Sequence, residues 1–374
     1  MQRCDSAVVL SNTISYNRRV NILSRLFPTP PFITLPTVGL DFSDATMRFV
    51  SLSMVPHGLV PKRFAEMAIP EGCMKGGRII DNDKFIAFLR EVQTKHKLKY
   101  VRVSIPESQV YSFTLSLDPD AKTNIRESIE FSIEDNIPLK AIETVFDYHV
   151  LSHTEKALTV QVVAISETVA LNYFNAFSAA GIYPVSFELE GQAITRAVLD
   201  PADTGSCMIV DFGAHRTGIT IVTNQTAMVT ATLDFGGKML AQNLAKELAV
   251  SLEEAESLKR QYGLSMAGEQ KNIFSILVSG ISVLKHEINR RYIYWQDRKN
   301  QIGSFPSIDT VYLCGGHSNM PGLEEYLSST LKLKVVQVNP WKNCFSLDEV
   351  IPEMSYEASM SYVTAVGLAL TDYL

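Results

Sequence analysis

Two short stretches of this chain carry the residue types that handle phosphate. Leu40-Asp41-Phe42-Ser43 runs into Met47-Arg48-Phe49-Val50, and Val210-Asp211-Phe212-Gly213 runs into Gly218-Ile219-Thr220-Ile221. Each is an apolar strand ending in Asp, an aromatic and a small residue, then a tight turn into a second strand. Consecutive backbone N–H groups in such a turn can cradle phosphate oxygens, and Gly or Ser at the turn lets a phosphate approach the main chain. An Asp beside a phosphate is repelled unless a cation lies between. Asp41 and Asp211 are therefore suited to hold hydrated Mg²⁺ through its retained waters. One such hairpin alone reads as an ordinary turn, where Asp is favoured anyway. Their recurrence 170 residues apart argues for a duplicated domain with a site between its halves.

Further glycine turns follow. Val311-Tyr-Leu-Cys-Gly315-Gly316 is a strand leading through a Gly-Gly turn to a helix starting at Pro321, an arrangement suited to a nucleoside at a helix entrance. Gly236-Gly237 precedes two helices. Leu240, Leu244 and Leu248 mark the first, and a capping box, Ser251 to Glu254, opens the second. Glu256, Lys259 and Arg260 fall on the polar side of that second helix, where residue type alone gives a solvated ion-pair face. His215 and His317 lie in these loops without a nucleophile and are expected to face solvent. Tyr292, Tyr294 and Trp295, after a helix over 274–291, are expected to pack a core.

The positioning elements are strands and helices in alternation, an α/β pattern. Strands are expected at 38–43, 47–52 and 62–69, then a helix capped by Asp81 or Asn82 with Phe85, Ile86 and Leu89 inward, then a strand from Tyr100 stopped by Pro106. Residues 102–185 read as an inserted β-α-β-β-α block, with a helix over about 120–136. Residues 1–36, with Pro28, Pro30, Pro31 and Pro36, read as a tail and linker. The chain has 374 residues, 46% hydrophobic and 20% charged, with a net charge of −6, which disfavours a nucleic-acid-binding body. Its five scattered cysteines form neither CxxC nor a Cys/His metal spacing, fitting a reducing, cytoplasmic setting. No apolar run reaches membrane-spanning length, so direct membrane insertion is not expected.

Taken in order, these segments resemble the actin/Hsp70/sugar-kinase superfamily and, within it, the FtsA-like PilM family of type IV pilus assembly proteins. The resemblance covers residues 37–374. It rests on Pro36 through Asp44, Ile133-Glu-Asp-Asn-Ile-Pro138, Glu188-Leu-Glu190, Asp211 through Thr217, Phe235-Gly-Gly-Lys238, Glu253 through Gly263, Gly315 through Leu323 and the Gly367 segment. It implies an actin-like ATPase fold with two lobes of duplicated ribonuclease-H-like domains and an inserted SHS2-like subdomain, 1C. The implied division is 1A at 37–101 with 186–205 and 350–374, 1C at 102–185, 2A at 206–235 and 310–349, and 2B at 236–309. The Glu188–Ala197 and Val363–Leu370 segments resemble the two connecting helices.

The resemblance also implies a site for ATP or ADP with Mg²⁺. Asp41, Ser43, Asp44 and Arg48 would form the first phosphate loop, and Asp211, Gly213, Arg216 and Thr217 the second. Gly236 and Gly237 would lie beside them, Glu256, Lys259 and Arg260 would contact ribose and adenine, and Gly315, Gly316 and Met320 would form the adenosine loop. Ser43 stands where Gly is usual, Asp44 where Ser is frequent and Arg48 where Lys is frequent, changes that would weaken binding. The implied role is a cytoplasmic adaptor, a weak ATPase at most. It would hold the N-terminal peptide of a PilN-like inner-membrane protein in a 1A/1C groove and couple it to cytoplasmic motor components. The alternatives are an FtsA-like division protein and a small-molecule kinase on the same scaffold. Val20-Asn-Ile-Leu23 is a short apolar patch of the tail; it also resembles the core of the PilN peptide, which would let the tail fill its own or a neighbour's groove by self-association.

Overall fold

The structure is a computed structural model describing residues 37–119, 124–265, 271–302 and 305–374; the expectations for the tail, 1–36, lie outside these residues. The chain divides into two compact units. One runs to Arg196 and regains Thr364–Leu374, and the other is Ala197–Val363. Segments 197–205 and 350–363, expected with subdomain 1A, thus group with the second unit.

In the first unit, β1 (Val38–Phe42), β2 (Thr46–Val55) and β3 (Gly58–Ala68) form an antiparallel meander. The short pair β4 (Met74–Lys75) and β5 (Arg78–Ile79) leads to α1 (Asn82–His96). The Asp81 carboxylate caps α1 by accepting the Lys84 N–H at 3.0 Å, and Phe85, Phe88, Leu89 and Val92 form its buried stripe. β6 (Tyr100–Ile105) and β10 (Tyr183–Leu189) run parallel to β1, giving the order β10-β6-β1-β2-β3.

Between β6 and β10 the chain makes β7 (Val110–Leu117), α2 (Ile125–Asn136), β8 (Thr144–His153), β9 (Leu158–Ser166) and α3 (Glu167–Ala179). Strands β7-β9-β8 form a separate antiparallel sheet. Strand alternation decides its packing: Leu158, Val160, Val162 and Ala164 of β9 meet Ile129 and Ile133 of α2 in a core of their own. The inserted block is smaller than the expected 102–185. Residues 102–105 belong to β6, which is paired on both sides in the parent sheet. Helix α3 packs into the parent core, with Tyr173 and Phe177 against Phe42 at ring separations of 5.2 and 6.2 Å. The block's helix begins at Ile125, and 120–123 lie outside the described residues.

The second unit repeats the parent plan. β11 (Ser206–Phe212), β12 (Thr217–Thr223) and β13 (Thr226–Leu233) form an antiparallel meander, and β14 (Ile308–Cys314) and β15 (Lys334–Gln337) lie parallel to β11. The order β15-β14-β11-β12-β13 matches the first sheet strand for strand and direction for direction. Between β13 and β14 lie α5 (Gly237–Leu248), α6 (Leu252–Tyr262) and α7 (Lys271–Ile302). The helix expected over 274–291 is longer because Trp295, inside it, is buried and stacks on Phe305 at 6.0 Å. The helix expected to start at Pro321 is α8 (Leu323–Leu331); it starts later because Gly322 takes φ +75, outside the helical region. The short α9 (Tyr356–Ser359) follows β15.

Helices α4 (Glu190–Val198) and α10 (Val363–Leu370) pack backbone to backbone. A Cβ on Gly367 would stand 1.8 Å from the Ala193 carbonyl oxygen, and one on Gly39 of β1 would stand 2.0 Å from that of Ala365. Buried Glu188 ties them through Arg196 at 2.8 Å, and Arg196 donates to the Gly367 carbonyl at 2.7 Å.

Candidate functional site

The second unit gathers most of the expected site residues around the end of β11. Gly213 N–H donates to the Arg216 carbonyl at 3.0 Å and closes the hairpin. Asp211 pairs with Gly218 on one side and Cys314 on the other. Gly315, at φ +88, lies so close that a Cβ there would be 2.3 Å from Asp211 Oδ1. Burial and the Asp211 charge push the Cys314 thiol well above its usual range, so it stays protonated and supplies no nucleophile.

The Gly236-Gly237 turn docks on the same hairpin. Gly237 and Lys238 N–H groups donate to the Gly213 and Ala214 carbonyls at 3.0 and 2.9 Å, so these first donors of α5 position the turn. Thr217 Oγ1 donates to the Phe235 carbonyl at 2.7 Å, fastening β12 beneath it. Arg216 lies 3.7 Å from Asp234, whose side chain is almost fully exposed. Met320 is buried, Gly316 is exposed, and Arg260 is exposed on α6.

Lys259 departs from the polar-side expectation. It is 2% exposed, because its Nζ donates to the Gly237 carbonyl at 2.6 Å and pairs with Glu256 at 2.8 Å. Burial lowers its pKa while the Glu256 carboxylate works against that shift. Lys259 thus braces α6 against the start of α5. His317, expected to face solvent, also packs inward. Its ring lies edge-on to Phe212 at 6.1 Å and would collide with a Cβ on Gly237 at 2.2 Å. Its Nδ1 is 3.5 Å from Lys259 Nζ. The sequence signal was Gly237 itself, a glycine with no positive φ, whose missing Cβ marks a close neighbour. His215 is exposed as expected.

In the first unit, Asp41 Oδ1 accepts from Ser104 Oγ at 2.7 Å. Burial raises the Asp41 pKa, against the pull of Ser104 and of Arg48. Ser104 was not singled out from sequence. It follows Val103, the β6 partner of Leu40, and so occupies the place that Cys314 holds beside Asp211. Ser43 Oγ accepts from the Ala45 and Thr46 N–H groups at 3.3 and 3.1 Å, shaping the turn. Arg48 faces Asp41 across the hairpin and binds Glu66 at 2.7 Å. Asp44 neither faces a phosphate cradle as a bare charge nor joins Asp41. Its two carboxylate oxygens accept the Gly76 and Gly77 N–H groups, each at 2.8 Å. Among the described residues no three His, Cys, Asp or Glu side chains gather as a metal cluster; an outer-shell role for Asp41 and Asp211 does not need one.

The family described as "Type IV pilus assembly protein PilM" matches residues 39–373. Among solved structures, the chain is similar to one described as the PilM-PilN type IV pilus biogenesis complex. The TM-score is 0.73 at 22% identity, covering 90% of this chain and 98% of that one. It is also similar to MreB5 of Spiroplasma citri bound to ADP, with a TM-score of 0.54 and 11% identity over 89% and 95% of the two chains. These likenesses show the actin-like fold. A sequence relative is the cell division protein FtsA of Neisseria meningitidis serogroup B, 28% identical over 108 residues. That alignment covers 28% of this chain and 26% of the relative.

Proposed function

We propose a function from one premise: the chain belongs to the family of type IV pilus assembly protein PilM. It is an adaptor of the pilus assembly machinery that binds ATP or ADP with Mg²⁺. The observation that supports the nucleotide part is the convergence of Asp211, Gly213, Gly237, Gly315 and Lys259 at one end of the second sheet. Backbone donors at the Asp211 and Asp41 hairpins would hold phosphates, with the two carboxylates held to Mg²⁺ through water. Gly316 and Met320 would border the nucleoside, with Glu256 and Arg260 reaching it from α6. Lys259 and Asp44, both engaged within the protein, would shape the loops. Catalysis is not required of this site; nucleotide would act by favouring one conformation.

The partner side of the proposal follows the family and the fold neighbour described with PilN. A PilN-like N-terminal peptide would dock on the first unit beside the inserted block, placing the protein at the cytoplasmic face of the inner membrane in contact with motor components. No helix among the described residues is long and apolar enough to cross a membrane. Calorimetric titration with Mg-ATP tests the nucleotide part. Saturable binding by the wild type that Asp211→Ala removes is expected. A folded wild type that takes up no nucleotide would refute it.

A further inference from the structure

Two exposed faces of this chain are complementary in charge and both carry unburied apolar residues. The first lies on the inserted block. Phe131 of α2 is 79% exposed, and Ile142, in the 3-10 turn Ala141–Glu143, is 86% exposed. The opposite side of α2 buries Ile129 and Ile133, so Phe131 plays no part in the block's own core. Glu134 joins the two exposed residues: it lies one turn after Phe131, and its Oε1 accepts the Ala141 N–H at 3.2 Å. The nearby cations are already engaged, Arg126 with Glu130 at 3.7 Å and Lys140 with Glu143 at 3.9 Å. Glu127, Glu134 and Asp135 remain as an acidic rim around an apolar centre.

The second face lies on α7. This helix carries six lysines and arginines against Glu287 and Asp297 alone, within a chain of net charge −6. Its buried stripe runs through Leu277, Ile281, Leu284 and Ile288. Val283 and Ile293, 48% and 51% exposed, point away from that stripe, about 15 Å apart at 1.5 Å per residue. Exposed His286 and Arg290 stand between them. This is a basic face with two apolar anchors.

We infer that the α2 face of one copy of this chain docks on the α7 face of another. A lipid surface does not suit the α2 face, because carboxylates are repelled by anionic headgroups, whereas a basic, apolar-anchored helix suits it. The contact joins two different faces, so it is head-to-tail and propagates into an open chain of copies rather than closing as a symmetric pair. Paired charges at the rim make it sensitive to salt.

Sedimentation velocity of the full chain over about 1–100 µM, at low and high salt, tests this. Assembly that grows with concentration and is weakened by salt is expected. Two variants break one face each: Phe131→Ser with Glu134→Gln, and Ile293→Ser with Arg290→Gln. All four positions are exposed, and unchanged melting confirms folding. Each variant alone should stay monomeric. Their mixture keeps one intact α7 face and one intact α2 face, so it should give a 1:1 dimer that grows no further. A wild type that is monomeric throughout overturns the inference. So does self-association that neither variant reduces, or a mixture that stays monomeric. Wild-type binding to anionic vesicles, lost with the α7 variant and without self-association, would assign that face to lipid and also overturn it.

Discussion

Replacing Lys259 by Met probes the brace between α5 and α6. Methionine matches the length of the lysine stem, so packing is largely kept while the ammonium is removed. Breaking a buried ion pair from one side costs about 3–5 kcal/mol. Here Glu256 is about a quarter exposed and recovers hydration, which brings this component to about 2 kcal/mol. The Gly237 carbonyl also loses its donor, adding about 1 kcal/mol. For a unit of this size the total of about 3 kcal/mol corresponds to a melting shift of about 6–12 °C. The assay is unusually selective. Both tryptophans of the chain, Trp295 and Trp341, lie in the second unit and are fully buried, so intrinsic fluorescence reports unfolding of that unit. Glu256→Gln alongside Lys259→Met should restore part of the loss, because the stranded carboxylate is then neutral. A Lys259→Met protein within about 1 kcal/mol of wild type would refute the assignment of this amine as a structural brace.

Three further substitutions address the first unit. Asp41→Asn should stabilise the ligand-free protein while weakening Mg-nucleotide binding. The raised Asp41 pKa disfavours the folded state only where the carboxyl is ionised, so the gain is absent below about 3.8 and grows as pH rises through the folded-state pKa; a pH-independent melting difference contradicts this. Asp44→Ala strands the Gly76 and Gly77 N–H groups and should cost about 2 kcal/mol, with faster amide exchange at those two positions; unchanged exchange would show that the clamp is idle. Arg196→Met leaves Glu188 buried without its closest cation and should cost about 3–5 kcal/mol, part of it regained with Glu188→Gln; equal stability of the single and double variants would contradict the pairing.

The duplicated hairpins were legible because strand alternation and turn chemistry are local, and the matched Asp-aromatic-small triplets lie at the ends of β1 and β11. Helix α1 was legible from its cap at Asp81 and its apolar stripe. The limits of the inserted block were not. Tyr100–Ile105 and the stripe of α3 read like any strand and helix, and only partner choice assigns them to the parent sheet. Lys259 and His317 were misplaced for the same reason: a polar helix position and a loop histidine look solvated until the Gly236-Gly237 turn folds over them. Asp44 looked like a repelling charge because Gly76 and Gly77, its two donors, lie more than thirty residues away.

The inserted block keeps an apolar core of its own, and only Val110, Val145 and Ile165, at its root, reach into the core of the parent sheet. Substitutions on its outer surface, Phe131 and Ile142 included, therefore leave the parent packing untouched. Lineages can remodel this face for new partners while inheriting the rest of the fold unaltered, and the two kinds of change are selected separately.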